Sequence, residues 1–325
     1  MLSRGGVLVM ACLAANILFA AAAQPTFVSV VGDNGLMTPI AVFDGATWWN
    51  RWPREQESDA IRTTPVPKSL ASIPAAWLPP GLVLPREWRV LHESGSVARI
   101  RAVRIRRPPE PVMMDTFVIQ TTEPRRADGA EESVAISGPG TLGRFVAPAP
   151  DEEQRVLEQV AARIDSLELG EIARWKRESQ TDRNVVLTRV YRVTTPERTD
   201  YVTQRPRDTA EFGLVKAERQ MQGRTFYYLD GEKLFRMQGK DECMLNLSSS
   251  GAIATNAQGI VVSERLASTA WGEYCGDRAE SATLLATLQI RDQVLWVTKV
   301  SLEDGDDYVL VNPVTGESVQ PRTRK

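Results

Sequence analysis

Histidine is nearly absent from this 325-residue chain, with His92 the single one. A Ser-His-Asp or Cys-His mechanism would have to run through that residue, and metal centres built from several imidazoles are excluded. His92 lies in Leu91-His92-Glu93-Ser94-Gly95 between two strand-like runs, which reads as an exposed turn. Cysteine is scarce too: three are present, without the paired spacing of a structural zinc site. Neither sign of charge is in excess, since 39 basic residues face 41 acidic ones for a net charge of -2. No global field therefore draws the chain to nucleic acid or an anionic membrane. The signatures G-x-S-x-G, H-E-x-x-H and G-x-x-x-x-G-K-[ST] are missing, so no motif names a reaction, a metal or a cofactor. Beyond residue 23 no apolar run reaches the roughly 20 residues that span a bilayer.

The first 23 residues are the most informative segment present. Arg4 supplies a positive start, Val7 to Phe19 form an apolar core, and Ala21-Ala22-Ala23 before Gln24 is an A-x-A-like peptidase site. This is the pattern of a signal peptide, and it predicts a secreted or periplasmic mature chain. The alternative is lipid anchoring at Cys12, whose preceding Val9-Met10-Ala11 loosely resembles a lipobox; the apolar Leu13 to Phe19 that follow argue against it. Cleavage leaves Cys243 and Cys275, an even pair that in an oxidising compartment reads as a disulfide. It would close a loop of about 30 residues, worth roughly 3–4 kcal/mol in the chain-entropy picture.

About 300 residues remain, too many for one ordinary core. The pattern predicts a mainly β protein of two antiparallel β domains, sandwich or barrel-like, joined by one amphipathic helix. A single large β assembly or a propeller is the alternative. The expected divisions are a leader over 1–23, an N-terminal β domain over 24–146, a connecting helix and linker over 147–180 and a C-terminal β domain with the disulfide over 181–325. Phe27 to Val31 and Leu36 to Phe43 read as a hairpin, because Asn34-Gly35 accepts the positive φ of a tight turn. Val97 to Arg106 reads as a strand whose parity slips near Ala102-Val103, the sign of a bulge.

Val156, Leu157, Val160, Ala161, Ile164 and Leu167 put one apolar stripe on a helix that starts near Pro150 and its following acids, and that Gly170 ends or kinks. Further strands follow from Val185 onward. Asp230-Gly231 reads as a turn between strands Phe226 to Leu229 and Lys233 to Arg236, and Asn246 to Gly251 as a strand end and turn.

Three clusters carry possible chemistry. Trp48-Trp49-Asn50-Arg51-Trp52 holds aromatic area beside polar groups, as a sugar-stacking or docking platform requires, unless the Pro-rich stretch Pro53 to Pro80 folds back and buries it. Arg99, Arg101, Arg104, Arg106 and Arg107 alternate with aliphatic residues and would grip phosphates or carboxylates through bidentate hydrogen bonds, the bland alternative being a solvated strand face. Glu303, Asp304, Asp306 and Asp307 are sufficiently explained by a hairpin turn at Asp304-Gly305.

These features favour an exported, non-enzymatic protein with a binding or structural role at the cell envelope. The expected contact residues are Trp49, Trp52, Arg99, Arg101, Arg104 and Arg106, and the expected partner is an envelope glycan or protein. A carboxylate-based glycoside hydrolase or a carbohydrate-binding protein is the alternative, since that chemistry needs two acids and no histidine.

Overall fold

The structure is a computed structural model and describes residues 24–50, 65–107, 117–124, 132–178, 185–196, 198–206, 210–238, 244–273, 281–302 and 305–319. Strands β1 (Thr26–Val31), β2 (Leu36–Phe43), β3 (Trp48–Asn50), β4 (Glu87–Leu91), β5 (Val97–Arg106), β6 (Val118–Thr121) and β7 (Ser133–Ser137) form one antiparallel sheet in the order β1-β7-β4-β5-β6-β2-β3. Because β2 also pairs with β1, six of these strands close into a barrel and β3 extends the C-terminal half of β2. The predicted hairpin is there, with Gly35 at φ 71° in its turn.

Alternation sorts each barrel strand into two faces. Phe27, Val31, Met37, Trp88, Val90, Ile100, Ile105 and Ile119 fill the interior. Trp77 and Leu78, from the Pro-rich connection, pack into the same core, and Trp77 stacks on Phe117 with ring centroids 4.7 Å apart. The other face of β1, with Val28 and Val30, is covered as well, so all six residues of β1 are buried. Its cover is a second antiparallel sheet of β8 (Thr141–Gly143), β16 (Ser281–Ile290), β17 (Gln293–Leu302), β18 (Gly305–Val311) and β19 (Ser318–Val319), which contributes Leu288, Leu295, Val297 and Leu310. A joint polar tie holds the two: Trp48 Nε1 donates to Gln293 Oε1 at 2.8 Å.

The third sheet contains β9 (Phe145–Val146), β10 (Leu187–Thr194), β11 (Thr199–Val202), β12 (Phe212–Ala217), β13 (Thr225–Met237), β14 (Met244–Thr255) and β15 (Val261–Glu273). Helix α1 (Pro150–Glu178) covers one of its faces, burying Val156, Val160 and Ile164 against Leu214, Tyr227, Leu229 and Ile253. The opposite face packs Phe226, Ala252 and Ala254 on Val294 and Trp296. Short strands β8 and β9 leave the barrel segment and pair with β16 and β12, tying the barrel into both later sheets.

Three expectations of the sequence need correction. Asp230-Gly231 is no turn: both lie inside the 13-residue β13, paired with β12 on one side and β14 on the other. Gly231 is there for room, since a Cβ would overlap the Phe212 ring. Ser248 to Gly251 likewise sit within the 12-residue β14. Helix α1 does not end at Gly170 but runs on to Glu178, because a Cβ-less residue in a helix costs only about 1 kcal/mol, and the helix is tied to the sheet by Glu168 before it and by Glu171, which accepts from the Ala270 N–H, after it. The bulge of β5 falls where its parity slips, between Ala102 and Arg104. The predicted leader over 1–23, with Cys12, and Trp52, Cys243, Cys275, Glu303 and Asp304 lie outside the described residues. Among the described residues no helix is long and apolar enough to cross a membrane.

Candidate functional site

The bulge decides what β5 presents. Before it, Ile100 and Ala102 enter the barrel while Arg99 and Arg101 face out; strict alternation would then send Arg104 inward. The extra residue Val103 resets the parity, so Ile105 enters the core and Arg104 and Arg106 join the outward row. All four arginines are exposed on a rigid, closed sheet.

Among the described residues few of these charges are compensated. Arg101 stands 3.7 Å from Glu87, with both side chains more than 70% exposed, a pair that solvent weakens. Arg104 Nε donates to Gln120 Oε1 at 2.8 Å, a neutral partner that orients it. Arg99 lies across from Arg89, a second cation, whose guanidinium donates to the carbonyls of Gly138 and Gly140 at 2.8 and 2.9 Å. Arg99 and Arg106 have no side-chain partner among the described residues. Arginines two apart on one strand stand roughly 7 Å apart, a spacing that suits successive anionic groups of an extended ligand.

The tryptophans are placed differently. Trp49 packs half-buried against the barrel core, and its Nε1 donates to Asp44 Oδ2 at 2.6 Å. That bond, with the backbone N–H groups of Thr47 and Ala46, holds the Asp44 carboxyl below the ordinary carboxylate value. Trp48 tilts against Phe43 at 5.1 Å. Strands β6 and β2 separate Trp49 from β5 in the sheet, so the structure gathers the four arginines and does not bring Trp49 to them. His92, read as an exposed turn residue, is only 22% exposed and stands 3.7 Å from Glu123.

Two polar sites on the third sheet escape sequence reasoning. At the start of α1, Glu152 accepts from Tyr227 Oη at 2.7 Å and Lys216 Nζ at 2.5 Å, beside a cavity of about 210 Å³. Burial, and then the hydrogen bond to Glu152, pushes the Tyr227 phenol up to about 12. The second is a cleft of about 330 Å³ where β10 and β12 part from β13, walled by Arg189, Tyr191, Arg192, Phe212, Asp230 and Glu232. Its residues come from three separate strands, and no local motif joins them. Among the described residues no three His, Cys, Asp or Glu side chains stand together as metal ligands. No family model, curated protein or solved structure matches this chain.

Proposed function

We propose that the protein is exported and acts as a non-enzymatic binding protein of the cell envelope, holding a phosphate- or carboxylate-bearing envelope glycan on the arginine face of its barrel. The observation that carries this reading is the outward row Arg99, Arg101, Arg104 and Arg106, with one exposed carboxylate, Glu87, in reach among the described residues. A guanidinium offers a planar fork of donors that matches phosphate and carboxylate. Fixing such forks on a closed barrel lowers the ordering cost of binding. Export rests on the leader pattern over 1–23. A Cys243–Cys275 disulfide accompanies it: the outermost described pair of β14 and β15 is Met244 with Glu273, adjacent in sequence to Cys243 and two residues from Cys275, which supports the link.

The test uses the chain over 24–325 and lipopolysaccharide, with its dephosphorylated form as the control. Saturable binding that weakens steeply with salt, falls at least tenfold on dephosphorylation, and falls likewise when the four arginines become glutamine supports the reading. Equal retention of both forms, or indifference to the arginine replacements in a protein that melts normally, overturns it. Oxidised peptide mapping checks the disulfide, and free thiols at both positions refute it.

A further inference from the structure

Strand β13 changes neighbours midway along one edge. Strand β12 pairs with it as far as Gly231, and β10 takes over only at Leu234. Between these ends neither strand pairs with Glu232 or Lys233, and the parting opens the 330 Å³ cleft. That volume is at the small end for ligand sites.

Among the described residues the charges lining the cleft do not cancel. Arg189 stands 3.5 Å from Glu211, donates to the Leu234 carbonyl at 3.4 Å, and lies over the rings of Tyr191 and Phe235 at 5.1 and 5.3 Å. Arg192 stands 4.0 Å from Glu232 and lies over the Tyr201 ring at 5.9 Å. Both cations are thus engaged, each facing one carboxylate among the described residues. Asp230 is the third carboxylate, and no cationic side chain pairs with it among the described residues. It is held by the Gly231 N–H, and burial followed by the nearby Glu232 raises its carboxyl above the ordinary value. Behind Glu232, Asn246 is 3% exposed, donates its amide to that carboxylate, and keeps an amide oxygen with no partner. Among the described residues the cleft lining therefore carries one negative charge in excess, with apolar area from Phe212, Val190 and Leu234 beside it.

We propose that this cleft binds an alkylammonium group, with Asp230 as its counter-ion and Glu232 as a second acceptor. An ammonium is a compact charge with three donors, and its methylene stem can lie on the apolar wall while the head meets the carboxylates. A hard metal ion is a poorer match, because no three ligating side chains converge among the described residues. The same chemistry arises from a free diamine and from a lysine side chain of a partner, and the experiment separates the two.

Calorimetric titration of the chain over 24–325 at low ionic strength would use 1,4-diaminobutane and, separately, Nα-acetyl-lysine methylamide. Saturable binding of either, at least tenfold weaker in Asp230→Asn and weaker in Glu232→Gln, supports the site, and the tighter ligand identifies the source. An unchanged melting temperature of each variant separates loss of the site from loss of the fold. Absence of saturable binding by both amines, or equal binding by wild type and Asp230→Asn, overturns it. Neither result depends on the arginine face, which lies on another sheet.

Discussion

Lys233 Nζ donates to Glu168 Oε2 at 2.5 Å, joining the fork of β13 to the buried stripe of α1. Only 13% and 7% of the two side chains are exposed. The other carboxylate oxygen accepts from Ser249 Oγ at 3.1 Å, Ser249 and Ser268 share a hydrogen bond of 2.7 Å, and the Lys233 ammonium lies 5.0 Å from the Phe212 ring centre. Removing one partner leaves a buried charge unpaired, so Glu168→Ala or Lys233→Ala should each cost roughly 3–5 kcal/mol. Replacing both together, Lys233→Met with Glu168→Leu, should recover most of that loss. Urea unfolding of the cycle checks it; additive losses would show that the pair is not a unit.

Two pH dependences follow from the Glu152 cluster. Burial alone would raise this carboxyl, but hydrogen bonds from Lys216 and Tyr227 outweigh it and hold it below the ordinary value. Its stabilising contribution is therefore complete above the unfolded carboxyl's value, and is lost as pH falls through the lower folded one. Glu152→Gln should lower the urea midpoint at neutral pH, with a difference that shrinks in acid. The raised Tyr227 phenol contributes stability below its unfolded value near 10, lost as pH rises towards the folded value of about 12. Tyr227→Phe should flatten that alkaline limb, read by circular dichroism against pH.

Asp230 behaves in the opposite sense to Glu152. Its raised folded value means that ionisation opposes folding, so the relief appears as pH falls through that value. Asp230→Asn should melt no lower than wild type at neutral pH and should remove this acid-side relief. Calorimetric melting across the acid range would refute the assignment if the variant unfolded well below wild type at neutral pH.

Glycine at two strand positions is set by close approach. A Cβ at Gly251, whose φ is 152°, would overlap the Arg265 carbonyl oxygen of the neighbouring strand. One at Gly231 would overlap the Phe212 ring and stand 2.6 Å from the Glu211 carbonyl oxygen. Gly251→Ala meets unyielding backbone and should cost more than about 1 kcal/mol. Gly231→Ala meets the Glu211 carbonyl oxygen as well as the Phe212 ring, so it should likewise cost more than about 1 kcal/mol, while altering the tyrosine and phenylalanine signals of the cleft wall in NMR spectra.

The outer face of the barrel makes a fragment test informative. Val28, Val30, Val134 and Ile136 are all buried, and their apolar neighbours include Leu288 and Val297 of the second sheet. A fragment over 24–146 would expose that contiguous apolar surface, of a kind soluble monomers rarely carry. It should aggregate or bind an apolar dye, and a monomeric, dye-silent fragment in size-exclusion chromatography would contradict this.

Local patterns were legible where one residue type has one physical use. Asn34-Gly35 marked its hairpin, the parity slip at Ala102-Val103 marked the bulge, and Pro150 with its acids marked the start of α1. Glycine has two uses, turn and close approach, and the sequence does not separate them; hence β13 and β14 read as broken. The buried stripe of α1 runs Val156, Val160, Ile164 and then Glu168, a four-residue step whose last member is an acid. Hydrophobicity pointed instead to Leu167, although an acid continuing that progression is itself a signal for a buried cation. Of the arginine face, the sequence carried all four members and their outward aim. The cleft depends on where two strands leave a third, a property of register that no single segment encodes.

The pairing of Thr141 with Gln289 also constrains how this molecule is made. The strand that leaves the barrel has to wait for nearly half the chain to arrive before its edge is satisfied, and contacts at that separation form slowly. A polypeptide emerging from its N-terminus would therefore spend appreciable time with β1 and β7 sticky and uncovered. A holding chaperone, or a partner bound early to that surface, would raise the yield of native protein by shielding this late-closing seam.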